Sequence, residues 1–222
     1  MPIPEKRRIW LVASSPNPQK SYLEAISQHL NPEDLIYGVD GGFQIALQQG
    51  WIPYAFFGDG DSVALDLVKN YALIHADLEV HIFSTDKDAS DLEIALRHAV
   101  KKMGFEIIII NGMDGRSDHT LFNFLLCSID PTRIHIWDTE GTFMMLRPQS
   151  SRIFKFAAPT TFSLIPFQTC KGVCIQNAKY PLDHENIGGS SRTLSNITIQ
   201  DSETIITFEA GLLGIYFVGH YL

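Results

Sequence analysis

The sequence is poor in cysteine, in basic residues and in long apolar runs, and each shortage removes a class of function. Its three cysteines, Cys127, Cys170 and Cys174, are an odd set at spacings that match no zinc or redox pattern. Reduced thiols in a cytoplasmic protein are therefore expected. Lys and Arg number 17 against 25 Asp and Glu, a formal net charge of −8. Nucleic acid and anionic membranes are held mainly by basic surfaces, so neither is expected as a partner. A phosphate ligand is compatible with that balance, because a bound metal ion inverts the local sign. No apolar run approaches the roughly 20 residues of a membrane span. The run Ile9–Ala13 behind Lys6, Arg7 and Arg8 stops at Ser14-Ser15-Pro16, short of the about 7–15 residues of a signal-peptide core, and reads as a first strand. Asn196-Ile197-Thr198 fits a glycosylation sequon but carries no weight without a secretory signal. Two phosphate-binding signatures are missing too: there is no Walker A motif, and no Gly-x-Gly-x-x-Gly follows the first apolar run.

What is present is a chain of 222 residues, 45% apolar, enough for one large domain or two modest ones. Up to about residue 137, short apolar runs alternate with helical patterns. The runs Ile9–Ala13, Leu35–Val39, Tyr54–Phe57, Val80–Phe83, Ile107–Ile110 and Ile134–Trp137 read as strands. The clearest helix is Ser90–Met103, with Leu92, Ala95, Leu96, Ala99, Val100 and Met103 on one face and Gly104 as the stop. Gln44–Gln49 followed by Gly50 is a shorter case. From about Gly141 the pattern becomes short β-rich pieces between turn residues: Phe143–Leu146, Phe162–Ile165, Gly172–Ile175, Ile197–Ile199, Thr204–Phe208 and Leu213–Val218. The expected fold is α/β: an N-terminal, mostly parallel, Rossmann-like sheet with helices on both faces, then a C-terminal all-β sandwich. The division falls between residues 1–140 and 141–222. Trp10, Trp51 and Trp137 are expected to fill the core or an interface.

In an open α/β sheet, ligands bind beyond the carboxyl ends of the strands. Four successive strand ends here carry Asp and Gly: Asp40-Gly41-Gly42, Gly58-Asp59-Gly60-Asp61-Ser62, Asp86-Lys87-Asp88-Ala89-Ser90-Asp91, and Gly115-Arg116-Ser117-Asp118-His119. Singly, each is ordinary turn or helix-cap chemistry, and Ser90 or Asp91 could simply cap the next helix. Together they place like charges on one sheet edge, which destabilises the fold unless a cation neutralises them. Carboxylates plus substrate phosphates are the usual ligands of Mg²⁺. The glycines let backbone approach a ligand, and an arginine in a Gly-bounded turn can grip a phosphate bidentately. The seven aspartates of these motifs and Asp114 make eight, equal to the whole net charge of −8.

As an ordered set, these motifs resemble the thiamine pyrophosphokinase family. Ser163-Leu164-Ile165-Pro166, Lys179-Tyr180-Pro181-Leu182 and Ser195-Asn196 are similar to the family's C-terminal landmarks. The resemblance implies transfer of the pyrophosphoryl group of ATP to the hydroxyethyl oxygen of thiamine, giving thiamine diphosphate and AMP. It implies Mg²⁺, a cytoplasmic homodimer, and an active site at the subunit interface. It assigns Asp59, Asp61 and Asp91 as the catalytic, metal-binding carboxylates, with Asp40 beside the metal. Asp40, Gly41, Gly42, Arg116, Asp118 and His119 fall to the nucleotide and its phosphates. Lys87, Thr193, Ser195 and Asn196 fall to thiamine. The chain departs from the family at Gly60, where Phe is usual, at Ser90 for Thr, at Phe43 for a small residue, and over Asp183–Arg192. Two other readings are weighed. Asp59-x-Asp61-x-Val63 after an apolar strand resembles the nucleophile motif of haloacid-dehalogenase-type phosphatases, but it leaves Gly115–His119 unexplained. A non-catalytic nucleotide- or thiamine-binding protein is disfavoured because every metal carboxylate of the set is present. A calcium loop fails, since Val63 stands where that loop needs Asp or Asn.

Overall fold

The computed structural model describes residues 7–59, 64–219 and 221; Asp61, one of the expected metal carboxylates, lies outside them. The chain divides into two compact units, Met1–Leu126 with Arg133–Thr139, and Cys127–Thr132 with Glu140–Leu222.

The first unit runs β1 (Arg7–Val12), α1 (Lys20–Ser27), β2 (Leu35–Val39), α2 (Gly42–Gln48), β3 (Ala55–Gly58), α3 (Ala64–Ala72), β4 (Glu79–Ile82), α4 (Asp91–Ala99), β5 (Phe105–Ile110), α5 (Ser117–Leu126) and β6 (Ile134–Asp138). The strands are parallel, in the order β6-β5-β1-β2-β3-β4. The chain moves outward from β1 to β4, then returns to the other side of β1 for β5 and β6. The order therefore reverses between β1 and β5, which in such sheets opens a crevice at the carboxyl ends.

Ile9–Val12 and Ile107–Ile110 are fully buried, as strands covered on both sides must be. Adjacent residues of β3 show the two faces directly. Phe56 meets Phe43 of α2 with ring centroids 5.6 Å apart, whereas Phe57 lies 5.3 Å from the His98 ring of α4. Successive strand side chains point oppositely, so helices cover both faces. Strand β4 departs from the expected continuous apolar run. It alternates, with Val80 and Ile82 exposed and Glu79 and His81 half-buried, as suits an edge strand with one covered face.

Helix α4 is shorter than Ser90–Met103. Leu92, Ala95, Leu96 and Ala99 are buried as expected, but the helix closes at Val100 and Met103 is 78% exposed. Gly104, at φ +82°, takes the left-handed conformation that follows such an end. Helix α2 begins two residues earlier than Gln44 because Gly42 lets its first turn lie on β1. A Cβ there would sit 1.8 Å from the Val12 carbonyl oxygen. All three tryptophans are buried, and so are the three cysteines, which are free thiols. Among the described residues, no helix is long and apolar enough to cross a membrane.

The second unit consists of β7 (Gly141–Leu146), β8 (Arg152–Lys155), β9 (Thr161–Pro166), β10 (Cys170–Gln176), β11 (Leu182–Ile187), β12 (Asn196–Ile197), β13 (Glu203–Thr207) and β14 (Leu213–Val218). They pair antiparallel in two layers, β12-β9-β14-β7 and β11-β10-β13-β8. The core joins Met144, Phe162, Ile215 and Phe217 of one layer to Phe154, Val173, Ile175 and Ile206 of the other. This is a β-sandwich. Strands β8 and β11 add to those expected from sequence: each is an edge strand with few buried apolar residues.

Gly42→Ala tests the packing of α2 on β1. The added methyl is expected to lower stability by about 1–3 kcal/mol, read as a shifted denaturant midpoint with an unchanged slope. An unchanged midpoint would contradict the close approach.

Candidate active site

The crevice is built from strand ends. Asp40 directly follows β2 at φ +49°, an uncommon backbone for a residue with a side chain. Its N–H is held 2.8 Å from the Phe57 carbonyl. A Cβ on Gly58 would stand 2.8 Å from Asp40 Oδ1, so this carboxylate needs glycine at the end of β3. The Asp59 backbone N–H donates to the Asp40 carboxylate. At the start of α4, Ser90 Oγ accepts from the Glu93 N–H at 3.2 Å, and Asp91 occupies the first turn, where the helix dipole favours an anion. Lys87 Nζ reaches Asp91 Oδ1 at 2.7 Å, both side chains being less than one-fifth exposed.

Past β5, Asn111 repeats the backbone of Asp40, at φ +58°. Its Nδ2 donates to the Ala13 carbonyl at 3.3 Å, while its buried Oδ1 has no hydrogen-bond partner. Ser15 Oγ donates to Asp114 Oδ2 at 2.7 Å. Together Ser14, Asp40, Asp91, Asn111, Asp114 and His119 line a cleft of about 220 Å³. Asn111 and Ser14 were not singled out by the sequence. The available signal was positional: each follows the buried part of a central strand, as Asp40 does.

The carboxylates feel one another. Asp40 is pushed up to about 7, first by burial and then by the charges of Asp91 and Asp59. Lys87 and the Asp59 N–H act the other way without cancelling this. At the start of α5, Arg116 grips Asp118 with Nε–Oδ1 at 3.1 Å and Nη2–Oδ2 at 2.5 Å. That hydrogen-bonded guanidinium holds the Asp118 carboxyl down at about 2. Both side chains are exposed, so the arginine fork is engaged with its neighbour rather than with the cleft.

The glycine pair looks different from its sequence reading. Gly42 faces the Val12 carbonyl, and a Cβ on Gly41 would stand 3.1 Å from Ser14 Oγ. Val12 of β1 thus leaves no room for a side chain at Gly42, and Ser14, just past β1, leaves little at Gly41.

In the second unit, Thr193 and Asn196 line a pocket of about 300 Å³ with Ile175, Tyr180, Leu182 and Arg192. Thr193 Oγ1 donates to the Leu164 carbonyl at 2.8 Å. Asn196 accepts from the Tyr180 N–H at 3.0 Å and donates to the Tyr180 carbonyl at 2.7 Å. Ser195 lies at φ +56°, its N–H donating to Ser163 Oγ at 3.0 Å. Of the residues assigned to thiamine by resemblance, Lys87 thus stands in the first unit beside Asp91 and the other three stand in the second.

The family model described as the catalytic domain of thiamin pyrophosphokinase matches residues 26–137, and that described as its vitamin B1 binding domain matches residues 152–213. The chain belongs to the thiamin pyrophosphokinase family. The thiamine pyrophosphokinase of Bacillus subtilis is 30% identical over 212 residues, covering 93% of this chain and 96% of the relative. Its crystal structure gives a TM-score of 0.80 at 27% identity, over 97% of this chain and all of that one. The Geobacillus thermodenitrificans thiamin pyrophosphokinase gives 0.79 at 26%, over 96% and 97%. The Candida albicans structure shares the fold at 15% identity, with a TM-score of 0.71 over 96% of this chain and 89% of that one. Family membership replaces the dehalogenase-type phosphatase reading.

Asp40 supplies a pH test. Its folded carboxyl keeps a proton up to about 7, against an ordinary value of 3.8. Between those values the folded chain binds the extra proton, so the stability from this group is full below the lower value. It is lost as pH rises through the upper one. Without divalent cations, the wild type is expected to lose stability relative to Asp40→Asn across that window. Parallel midpoint-against-pH curves for the two proteins would refute the assignment.

Proposed function

We propose that the chain transfers the pyrophosphoryl group of ATP to the hydroxyethyl oxygen of thiamine, with the first unit holding Mg-ATP and the second holding thiamine. The observation that carries this reading is the convergence of Asp40, Asp59 and Asp91 on the crevice of a chain in this family. Their chemistry fits a hard divalent cation: all donors are carboxylate oxygens, and the crowding that raises Asp40 is what a cation relieves. Asp40, Asp59 and Asp91, joined by Asp61, would hold Mg²⁺. When bound, the ion neutralises phosphate charge and polarises the reacting phosphorus.

The chain's own groups do the remaining work. The thiamine hydroxyl attacks the β-phosphorus and AMP departs, a reaction that rests on positioning and charge stabilisation more than on covalent help. Lys87, held over Asp91, can turn its ammonium to an incoming phosphate. Arg116 has the planar fork for bidentate phosphate contact once it releases Asp118. His119 and the free Asn111 Oδ1 offer polar contacts to the nucleotide from the cleft wall. In the second unit, Ile175, Tyr180 and Leu182 give the pocket apolar walls suited to thiamine's rings. Thr193 and Asn196 have their polar atoms bound to backbone, so they shape that wall. Following the resemblance, the working form is a cytoplasmic homodimer with the active site at the subunit interface.

With ATP, Mg²⁺ and thiamine, the protein is expected to form AMP and thiamine diphosphate one for one. ADP, or free phosphate without thiamine, would overturn the reading. Asp91→Asn is expected to lower kcat about 10²–10³-fold with the thermal midpoint of the metal-free protein retained. A near-normal rate would remove Asp91 from the metal site.

A further inference from the structure

Away from the carboxylate crevice, three side chains of the first unit present metal-type donors to one point. Glu79 and His81 lie two residues apart on β4 and so share its covered face, and His98 comes from α4. One donor atom of each lies within 4.8 Å of the others. Glu79 divides its two oxygens. Oε1 accepts from the Tyr54 hydroxyl at 2.6 Å and has Lys102 Nζ at 3.8 Å. Oε2 faces His81 Nε2 at 3.5 Å and His98 Nε2 at 3.8 Å.

These are ligand separations without the ion. Zinc bonds of about 2.0–2.2 Å in tetrahedral geometry set neighbouring donor atoms about 3.3–3.5 Å apart. The two carboxylate–imidazole separations thus need at most a few tenths of an ångström of closure, and the two imidazole donors lie within 4.8 Å of each other. His81 Nε2 is buried and faces the Glu79 carboxylate across the point where such an ion would sit. The imidazoles are walled by aromatic rings: His81 stacks on Phe57 at 4.5 Å, and His98 lies 5.7 Å from Tyr37. The Tyr54 bond orients the carboxylate from behind, as outer partners of metal ligands do. Lys102 is the opposing charge, and it lies on the far oxygen.

We propose that Glu79, His81 and His98 form a binding site for one divalent transition-metal ion of the zinc class, with water in the fourth position. Two imidazoles and one carboxylate suit Zn²⁺ or Co²⁺ and discriminate against Mg²⁺, which prefers oxygen. The ion would clamp β4 to α4, the two elements that flank the segment bearing Lys87.

The test titrates metal-free protein with Zn²⁺ and separately with Co²⁺, in excess Mg²⁺ to fill the carboxylate crevice. One equivalent of Zn²⁺ by calorimetry and intense visible Co²⁺ bands are expected. Both should vanish in His81→Ala and His98→Ala and persist in His184→Ala, which breaks the separate Cys174–Asp183–His184 group. Tyr54→Phe should weaken Zn²⁺ about 10–100-fold. Should the alanine variants not fold, wild-type protein treated with diethylpyrocarbonate serves instead, with Zn²⁺ expected to shield His81 and His98. Absence of stoichiometric binding, binding that survives loss of both histidines, or modification of both at the zinc-free rate would each overturn the proposal. None of these readouts depends on catalytic turnover.

Discussion

Crowding of carboxylates at one edge of the parallel sheet is the constraint around which the first unit is organised. Two unit charges about 4 Å apart repel by roughly 1 kcal/mol in water and about 4 kcal/mol near a protein surface. Such a cluster persists only on a scaffold that cannot relax away from it. That scaffold is the apolar sheet: Ile107–Ile110 of β5 are completely buried, and each such side chain contributes about 1.5–3 kcal/mol. Parallel strands send all their carboxyl ends to one side, so the same topology that buries the isoleucines concentrates the aspartates. The details serve that result. Gly58 leaves room for the Asp40 carboxylate, the unusual backbone at Asp40 aims it, and Ser90 fixes where α4 starts and hence where Asp91 stands.

The site carries its own counterions. Lys87 lies on Asp91 and Arg116 on Asp118, so two of the acids at this edge are already paired with bases. An exposed pair is worth roughly 0–1 kcal/mol, which makes the Arg116–Asp118 pairing easy to exchange. In the proposed reaction, Asp91 would turn to the ion and Lys87 and Arg116 to the phosphates. The Lys87 and Arg116 pairings relieve part of the acidic charge at this edge, while Asp40 relieves its share by holding a proton up to about 7.

Much of this was legible in the sequence, for a physical reason. Buried parallel strands must be continuously apolar, so β1, β2, β5 and β6 stand out, and the Asp–Gly clusters that follow mark the binding edge. Legibility fails where a residue's surroundings come from other parts of the chain. Edge strands β8 and β11 bury too few apolar residues to show a period. The end of α4 at Val100 is set by the turn into Gly104, so the periodic Met103 falls outside the helix. The close packing of Gly42 on the Val12 carbonyl involves a residue thirty positions away in sequence. Asn111 looks like a turn residue, and its place after β5 gains meaning only with its unpartnered oxygen buried at the cleft wall.

Helix α4 connects the carboxylate crevice to the histidine cluster. Asp91 is its first residue and His98 its eighth. At about 100° per residue, seven steps bring the two to nearly the same face, about 10 Å apart along the axis. The helix packs on β1, β2 and β3 through Leu92, Ala95, Leu96 and Ala99, a small-and-large set that allows close approach but fixes its axial position only by van der Waals contact. The polar cluster of Glu79, His81 and His98 adds what that packing lacks, a directional tie between the helix and edge strand β4. An ion held there would therefore set the axial position of Asp91 through a rigid nine-residue rod.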